Sequence, residues 1–397
     1  MNFLAKRVDN LEESATLAVT ARAKALRAEG RDILSFAAGE PDFDTPDNIK
    51  LAAVKALREG HTKYTPVGGI PELKDAIIEK FKRDNGLDYE RDEILVSCGA
   101  KHSFYNLCNV ILDPGDEVLI PSPYWTSYPE IVKIAGGDPE IMPTSEKEDY
   151  KLNPGLFNEY ITSRTKALVL NSPSNPTGTV YTADELAEIA QVALRKDVLI
   201  ISDEIYEKLV YDSLKAVSIA SLADELRDRV VIINGLSKTY AMTGWRIGYT
   251  AGPKEIIKAM TVLQSQSTSN PASMSQWGAV EALTGPQDEV EKRVGEFEKR
   301  RNAMVEGLEA IKDVTVVRPG GAFYVFANLS RYYWREYGGK TIKGSVDMAA
   351  YLLEEAGVAV VPGEAFGEDT SVRITFASSL EDIQEGLRRM GEALARL

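Results

Sequence analysis

Ser237 and Lys238 stand just beyond an apolar run, at the head of Ser237-Lys238-Thr239-Tyr240-Ala241-Met242-Thr243-Gly244-Trp245-Arg246-Ile247-Gly248. A lysine there is a nucleophile once its ammonium releases a proton. Four other apolar runs deliver chemistry-bearing residues in the same way. Gly99-Ala100-Lys101 follows 94–97, Trp125 follows 118–120, and Asn175, within Ser-Pro-Ser-Asn-Pro-Thr-Gly, follows 167–170. Asp203 and Tyr206 follow 198–201. If the runs are strands of an open α/β sheet, all five sets gather on one rim, where such sheets bind ligands. Together they suit an amine that forms an imine with an aldehyde cofactor. A pyridine ring serving as electron sink needs a carboxylate at its nitrogen, an aromatic face and donors to its phenolate oxygen. Its phosphate needs backbone N–H groups at a helix start and an arginine. Lys238, Asp203, Trp125, Asn175 with Tyr206, Gly99-Ala100 and Arg246 match these needs.

Each residue also has an ordinary reading. Asp203 can cap a helix, Asn175 can set a turn before proline, Trp125 can fill a core, and Lys101 can be a solvated surface lysine. His61 and His102, the two histidines of the chain, read as structural. Arg373, in Val372-Arg373-Ile374-Thr375-Phe376, is harder to explain away, because a guanidinium in an apolar strand is costly unless something pairs with it.

The positioning elements follow from periodicity. Runs at 93–97, 117–120, 166–170, 198–201, 230–233 and 246–251 are almost continuously apolar, as in strands buried on both faces. Helix-like stretches lie between several of them. At 182–196, Leu186, Ile189, Ala190 and Ala193 share one face, and Thr182 with Glu185 forms a capping box. The pattern predicts an α/β fold: a large domain with a mainly parallel sheet flanked by helices, plus a smaller α/β domain. A charged helix with apolar residues at helical spacing, 288–311, links the two. Beyond it come strand-like runs at 314–317, 323–327, 358–361 and 372–376 and helices near 346–356 and 380–397. The expected division is 1–45 as N-terminal arm and part of the small domain, 46–295 as the large domain, and 296–397 as the small one.

Composition narrows the function classes. The 397 residues are 44% hydrophobic and carry a formal net charge of −14, which disfavours nucleic acid and anionic membranes as partners. Two histidines are too few for multi-histidine metal sites, and they leave Ser-His-Asp hydrolysis poorly supported. Cys98 and Cys108 form no metal spacing, so a reduced, cytoplasmic setting is expected. No stretch reaches the roughly 18 apolar residues of a membrane span, and the first residues lack a signal-peptide core.

The lysine stretch together with Asn175-Pro176-Thr177-Gly178, Ser202-Asp203-Glu204-Ile205-Tyr206 and Ala38-Gly39-Glu40-Pro41-Asp42-Phe43 is similar, in order, to the signatures of class I pyridoxal-phosphate-dependent aminotransferases. The likeness runs from about Ser14 to the C-terminus and is closest to the bacterial aspartate aminotransferase subgroup. It implies a fold-type I enzyme in which Lys238 holds pyridoxal 5′-phosphate as a Schiff base and shuttles a proton in a ping-pong reaction. By the same resemblance, Asp203 pairs with the ring nitrogen, Asn175 and Tyr206 hold the phenolate oxygen, and Trp125 stacks on the ring. Gly99, Ala100, Ser237 and Arg246 surround the phosphate, with Tyr64 arriving from the other subunit of a homodimer. Arg373 clamps the substrate α-carboxylate beneath Gly39, and Lys101 meets a distal carboxylate. The implied partners are small amino acids and 2-oxo acids, first of all L-aspartate and 2-oxoglutarate. Relatives that also take prephenate tend to carry a basic residue before Ser14-Ala15-Thr16, where this chain has Glu12-Glu13. Aromatic or alanine specificity, a β-lyase and a non-catalytic sensor on the same fold are the alternatives.

Overall fold

The computed structural model describes residues 3–5, 11 and 14–397. A seven-stranded sheet runs in the order Ile94–Ser97, Gly248–Ala251, Val230–Gly235, Leu199–Asp203, Thr165–Asn171, Glu117–Ser122 and Asp138–Pro143. Gly248–Ala251 is antiparallel to both of its neighbours, and the remaining neighbours pair in parallel. The continuous apolar runs have the physical cause expected of them. Val118, Ala167, Ile201 and Val231 enter a core on one face of the sheet, while Leu119, Leu168, Ile200 and Val230 enter another on the opposite face. A strand wetted on neither side has no place for polar alternation.

Between Thr165–Asn171 and Leu199–Asp203 the chain crosses over through Ala183–Lys196. Thr182 and Glu185 form the expected capping box, and Leu186, Ile189, Ala190 and Ala193 are all buried. Several expected strands start late, two of them for a visible reason. Glu93 closes a short 3₁₀ turn before Ile94, and Arg246 takes a left-handed backbone, φ 54°, before Gly248. The edge strand Asp138–Pro143 was not among the expected runs. It carries two prolines and is mostly half-exposed or exposed, so it has no apolar signature.

A second, antiparallel sheet of four strands has the order Val361–Pro362, Ser371–Thr375, Tyr324–Asn328, Thr315–Val316. The run 358–361 therefore divides: Val358–Ala359 pairs instead with Leu34–Ser35, tying the N-terminal segment to the C-terminal part. The helix expected at 346–356 is Ser345–Tyr351 followed by a π-helical turn, Leu352–Ala356. Asp288–Glu309 spans two cores, with Val290 in the large-sheet core and Phe297, Met304, Val305 and Leu308 in the small-sheet core. No helix among the described residues is long and apolar enough to cross a membrane.

Candidate active site

At the carboxyl ends of the large sheet, where it faces the small one, lies a cavity of about 420 Å³. Its walls include eleven of the thirteen residues singled out above: Gly39, Ala100, Lys101, Trp125, Asn175, Asp203, Tyr206, Ser237, Lys238, Arg246 and Arg373. Most of these reach it for the reason read from the sequence, as residues at or just past strand ends. Arg373 arrives from the small sheet, centred between Phe326 and Val361. Gly99 and Tyr64 are not part of the wall.

Lys238 is half-buried, and its Nζ donates to the carbonyl of Gly39 at 2.5 Å. Burial, then the positive charges of Arg373 and Arg246, bring its ammonium down from 10.5 to about 8, against the opposing pull of Glu40 and Asp203. At pH 8 about half of such an amine is free, against about 0.3% for an ordinary lysine. Asp203 shifts the other way. Burial lifts its carboxyl to about 6, while Tyr128, the Ile205 N–H and Lys238 oppose the rise. A half-buried amine poised to lose a proton and a buried carboxylate in one cavity are the opposed tuning that marks acid–base sites.

Arg373 is 2% exposed. Its Nη1 donates to Asn175 Oδ1 at 3.0 Å and its Nη2 to the carbonyl of Ala37 at 2.8 Å, while Nε is buried with no acceptor. The guanidinium lies 4.4 Å from the Tyr324 ring and 5.0 Å from that of Phe366, with no carboxylate bonded to it among the described residues. A buried cation satisfied only by neutral groups is an open site for an anion.

Gly99 contributes by what it lacks. With φ +89°, a Cβ there would sit 2.3 Å from Arg246 Nη2, so glycine lets the arginine lie against the turn that begins the helix Ala100–Ile111. A Cβ on Gly248 would meet the Ala100 nitrogen at 2.3 Å, so this glycine too keeps the helix start close. The first N–H groups of that helix have no carbonyl one turn back, and with Arg246 and Ser237 on the same wall they make an anion cradle. Arg246 itself is tied to the Thr243 carbonyl at 2.8 Å. Lys101, next in the chain to Ala100, lies 5.1 Å from the Trp125 ring, its ammonium lowered by burial and by Arg246.

Tyr64 is 91% exposed, standing outward from its own chain. His102 accepts the Cys98 N–H through Nδ1 and His61 packs on Trp277, both structural contacts. Among the wall residues that the sequence did not single out, two bond directly to candidate residues. Tyr128 donates to Asp203 Oδ2 at 2.6 Å, and Tyr324 lies with its hydroxyl 3.1 Å from that of Tyr206. Trp125 and Tyr128 are three residues apart, a helical spacing that could have flagged the first; no local pattern marks the second. Ser14, Thr16, Leu17 and Thr20 also line the cavity. Glu12-Glu13 lies outside the described residues.

A mainly parallel sheet with a half-buried lysine and a buried carboxylate at its carboxyl rim, faced by a buried arginine from the small sheet, is the architecture of an amino-group-transferring enzyme, and comparison with known proteins agrees. The family model for aminotransferase class I and II matches residues 31–390, and the chain belongs to that family. It is 54% identical over 387 residues, 98% of each chain, to an aspartate aminotransferase of Geobacillus stearothermophilus. It is 48% identical over 396 residues, 99% of each, to a probable aspartate/prephenate aminotransferase of Aquifex aeolicus. The solved structure of the Thermus thermophilus aspartate aminotransferase with maleate matches with a TM-score of 0.92 at 44% identity, over 99% of this chain and 100% of that one.

Proposed function

We propose that this chain is a pyridoxal 5′-phosphate-dependent aspartate aminotransferase, passing the amino group of L-aspartate to 2-oxoglutarate to give oxaloacetate and L-glutamate. The observation that carries the substrate reading is Arg373, a buried guanidinium with Nε unsatisfied and no carboxylate of its own. The cavity fits the cofactor: the Gly99–Arg246 cradle suits its phosphate, Asp203 its ring nitrogen, Trp125 its face, and Asn175 with Tyr206 its phenolate oxygen. When bound, that group supplies an aldehyde and an electron-withdrawing ring. Lys238 Nζ, about half of it free of its proton near pH 8, takes the proton from the substrate α-carbon and returns it on the other side of the transfer. Arg373 orients the α-carboxylate by a bidentate pair. Gly39, whose carbonyl already holds Lys238, closes over it, and enclosure keeps water from the reacting amine.

Lys101 gives the reaction its preference for an acidic side chain. Its side chain lines the cavity and has no carboxylate bonded to it among the described residues, so a distal carboxylate completes it. The Thermus relative solved with maleate, a four-carbon diacid, supports the same reading. Lys101→Ala is expected to raise the KM for aspartate roughly 10- to 100-fold, the range for a hydrogen bond to a charged group, while sparing alanine and phenylalanine. Equal loss for all three would remove Lys101 from the pocket. Incubation with aspartate and 2-oxoglutarate tests the whole reading: oxaloacetate formation supports it, and a bound chromophore without turnover favours a sensor. The Aquifex relative's name makes prephenate a further acceptor to assay beside 2-oxoglutarate.

We place the large domain at 46–295 and the small one at 296–397 with 1–45. The working unit is a homodimer with shared sites. Leu51, Val54 and Leu57 on the outer face of the helix Asp47–Arg58, and Tyr64 beyond it, are exposed, which suits burial by a second copy that receives Tyr64 at its phosphate cradle. The free thiols Cys98 and Cys108 suit the cytoplasm.

A further inference from the structure

Tyr128 takes part in none of the roles assigned so far, yet it is bonded to the carboxylate at the centre of them. It lies in the helix Ser127–Ala135, 2% exposed, its ring held edge-on by Trp125 at 5.1 Å and tilted against Phe104 at 4.9 Å. Its backbone N–H is bound by the Trp125 carbonyl at 2.9 Å, so the phenol has little freedom to point elsewhere. The hydroxyl donates to Asp203 Oδ2 at 2.6 Å, and Oδ1 takes the Ile205 N–H at 3.2 Å. One donor on each oxygen fixes the plane of the carboxylate and leaves its remaining lone pairs for the cavity.

We propose that Tyr128 is a positioning residue for Asp203, holding the carboxylate ionised and oriented so that it can pair with the protonated ring nitrogen of the cofactor. The inference rests on the cofactor reading above. Burial, with the Asp203 carboxylate beside it, pushes the phenol's pKa well above its ordinary value, so at working pH it keeps its proton and is the donor. The groups facing Asp203 are Tyr128, Lys238, Tyr206 and the Ile205 N–H. Of these, Tyr128 and the Ile205 N–H bond it directly, and Lys238 acts by charge. Burial alone drives the carboxyl to hold its proton. A neutral carboxylic acid cannot balance a pyridinium, so removing the hydroxyl shifts the proton from ring to carboxyl at a higher pH than in the intact protein.

The test is equilibrium binding of pyridoxal 5′-phosphate to cofactor-stripped protein between pH 5 and 9, for the unaltered chain, Tyr128→Phe, Asp203→Asn and the double variant. Phenylalanine keeps the ring that Trp125 and Phe104 pack against, and melting temperatures check that each protein is folded. Tyr128→Phe is expected to weaken binding about tenfold near pH 6, the scale of one hydrogen bond to a charged group, and to move the acid limb of the affinity curve upward by about one pH unit. In the Asp203→Asn background the same substitution is expected to change neither. An unmoved acid limb, or an equal loss in both backgrounds, would overturn the proposal while leaving the cofactor reading intact. Failure of the unaltered chain to bind pyridoxal phosphate would overturn both.

Discussion

Lys238→Met is expected to lower aminotransferase turnover at least ten-thousandfold while making the cofactor-free protein more stable. The first effect follows from losing both the attacking amine and the group that moves the α-proton, where general acid–base help alone contributes about 10²- to 10⁴-fold. The second follows from linkage. Unfolded, the lysine keeps its proton to about pH 10.5; folded, only to about 8. Between those values the unfolded chain binds more protons, so stability rises with pH across the window, and below pH 8 the full penalty of the buried amine is present. At about 1.4 kcal/mol per pH unit, methionine relieves at most about 3 kcal/mol at pH 7. The gain shrinks to nothing as the pH climbs from about 8 to 10.5. Denaturation of the apoprotein at pH 7 and pH 10 checks this. A destabilised methionine variant at pH 7 would mean that the amine is held by compensating contacts rather than strained for reaction.

Arg373→Leu carries the second large effect. Truncating one member of a buried, hydrogen-bonded charge pair loses about 2–5 kcal/mol, which is about 30- to 4,000-fold in kcat/KM for aspartate. Arg373→Lys should recover little, because a point charge cannot grip a carboxylate at two points. Stability is expected to stay within about 1 kcal/mol. The loss of hydrogen bonds to Asn175 and Ala37 offsets relief from a buried guanidinium whose Nε has no acceptor. Comparable losses in kcat/KM and in unfolding free energy would identify Arg373 as a structural strut instead.

The two substitutions bear on different links of the same chain of cause, and the sequence exposed those links unequally. Asp203, Asn175 and Lys238 were legible because strand ends are local: an apolar run buried on both faces stops where the sheet stops, and the next polar side chain faces the rim. Thr182 and Glu185 were legible for the same reason, since a capping box spans four residues. What stayed hidden depends on long-range register. Tyr324 meets Tyr206 only because Tyr324–Asn328 pairs with Ser371–Thr375 and brings the small sheet over the large one, and no window of sequence contains both. The edge strand Asp138–Pro143 escaped because a strand with a wet face and two prolines looks like a loop. Arg373 was legible by its cost, a charge where the pattern allowed only apolar side chains.

The central claim is that the amine of Lys238 is the one joined to the cofactor aldehyde. It is tested most directly by loading the protein with pyridoxal 5′-phosphate, reducing with borohydride, and mapping the modified peptide. A single phosphopyridoxyl group on Lys238, absent from the Lys238→Met protein, is the expected result. A label at Lys101 or any other lysine, or equal labelling of the methionine variant, would contradict it.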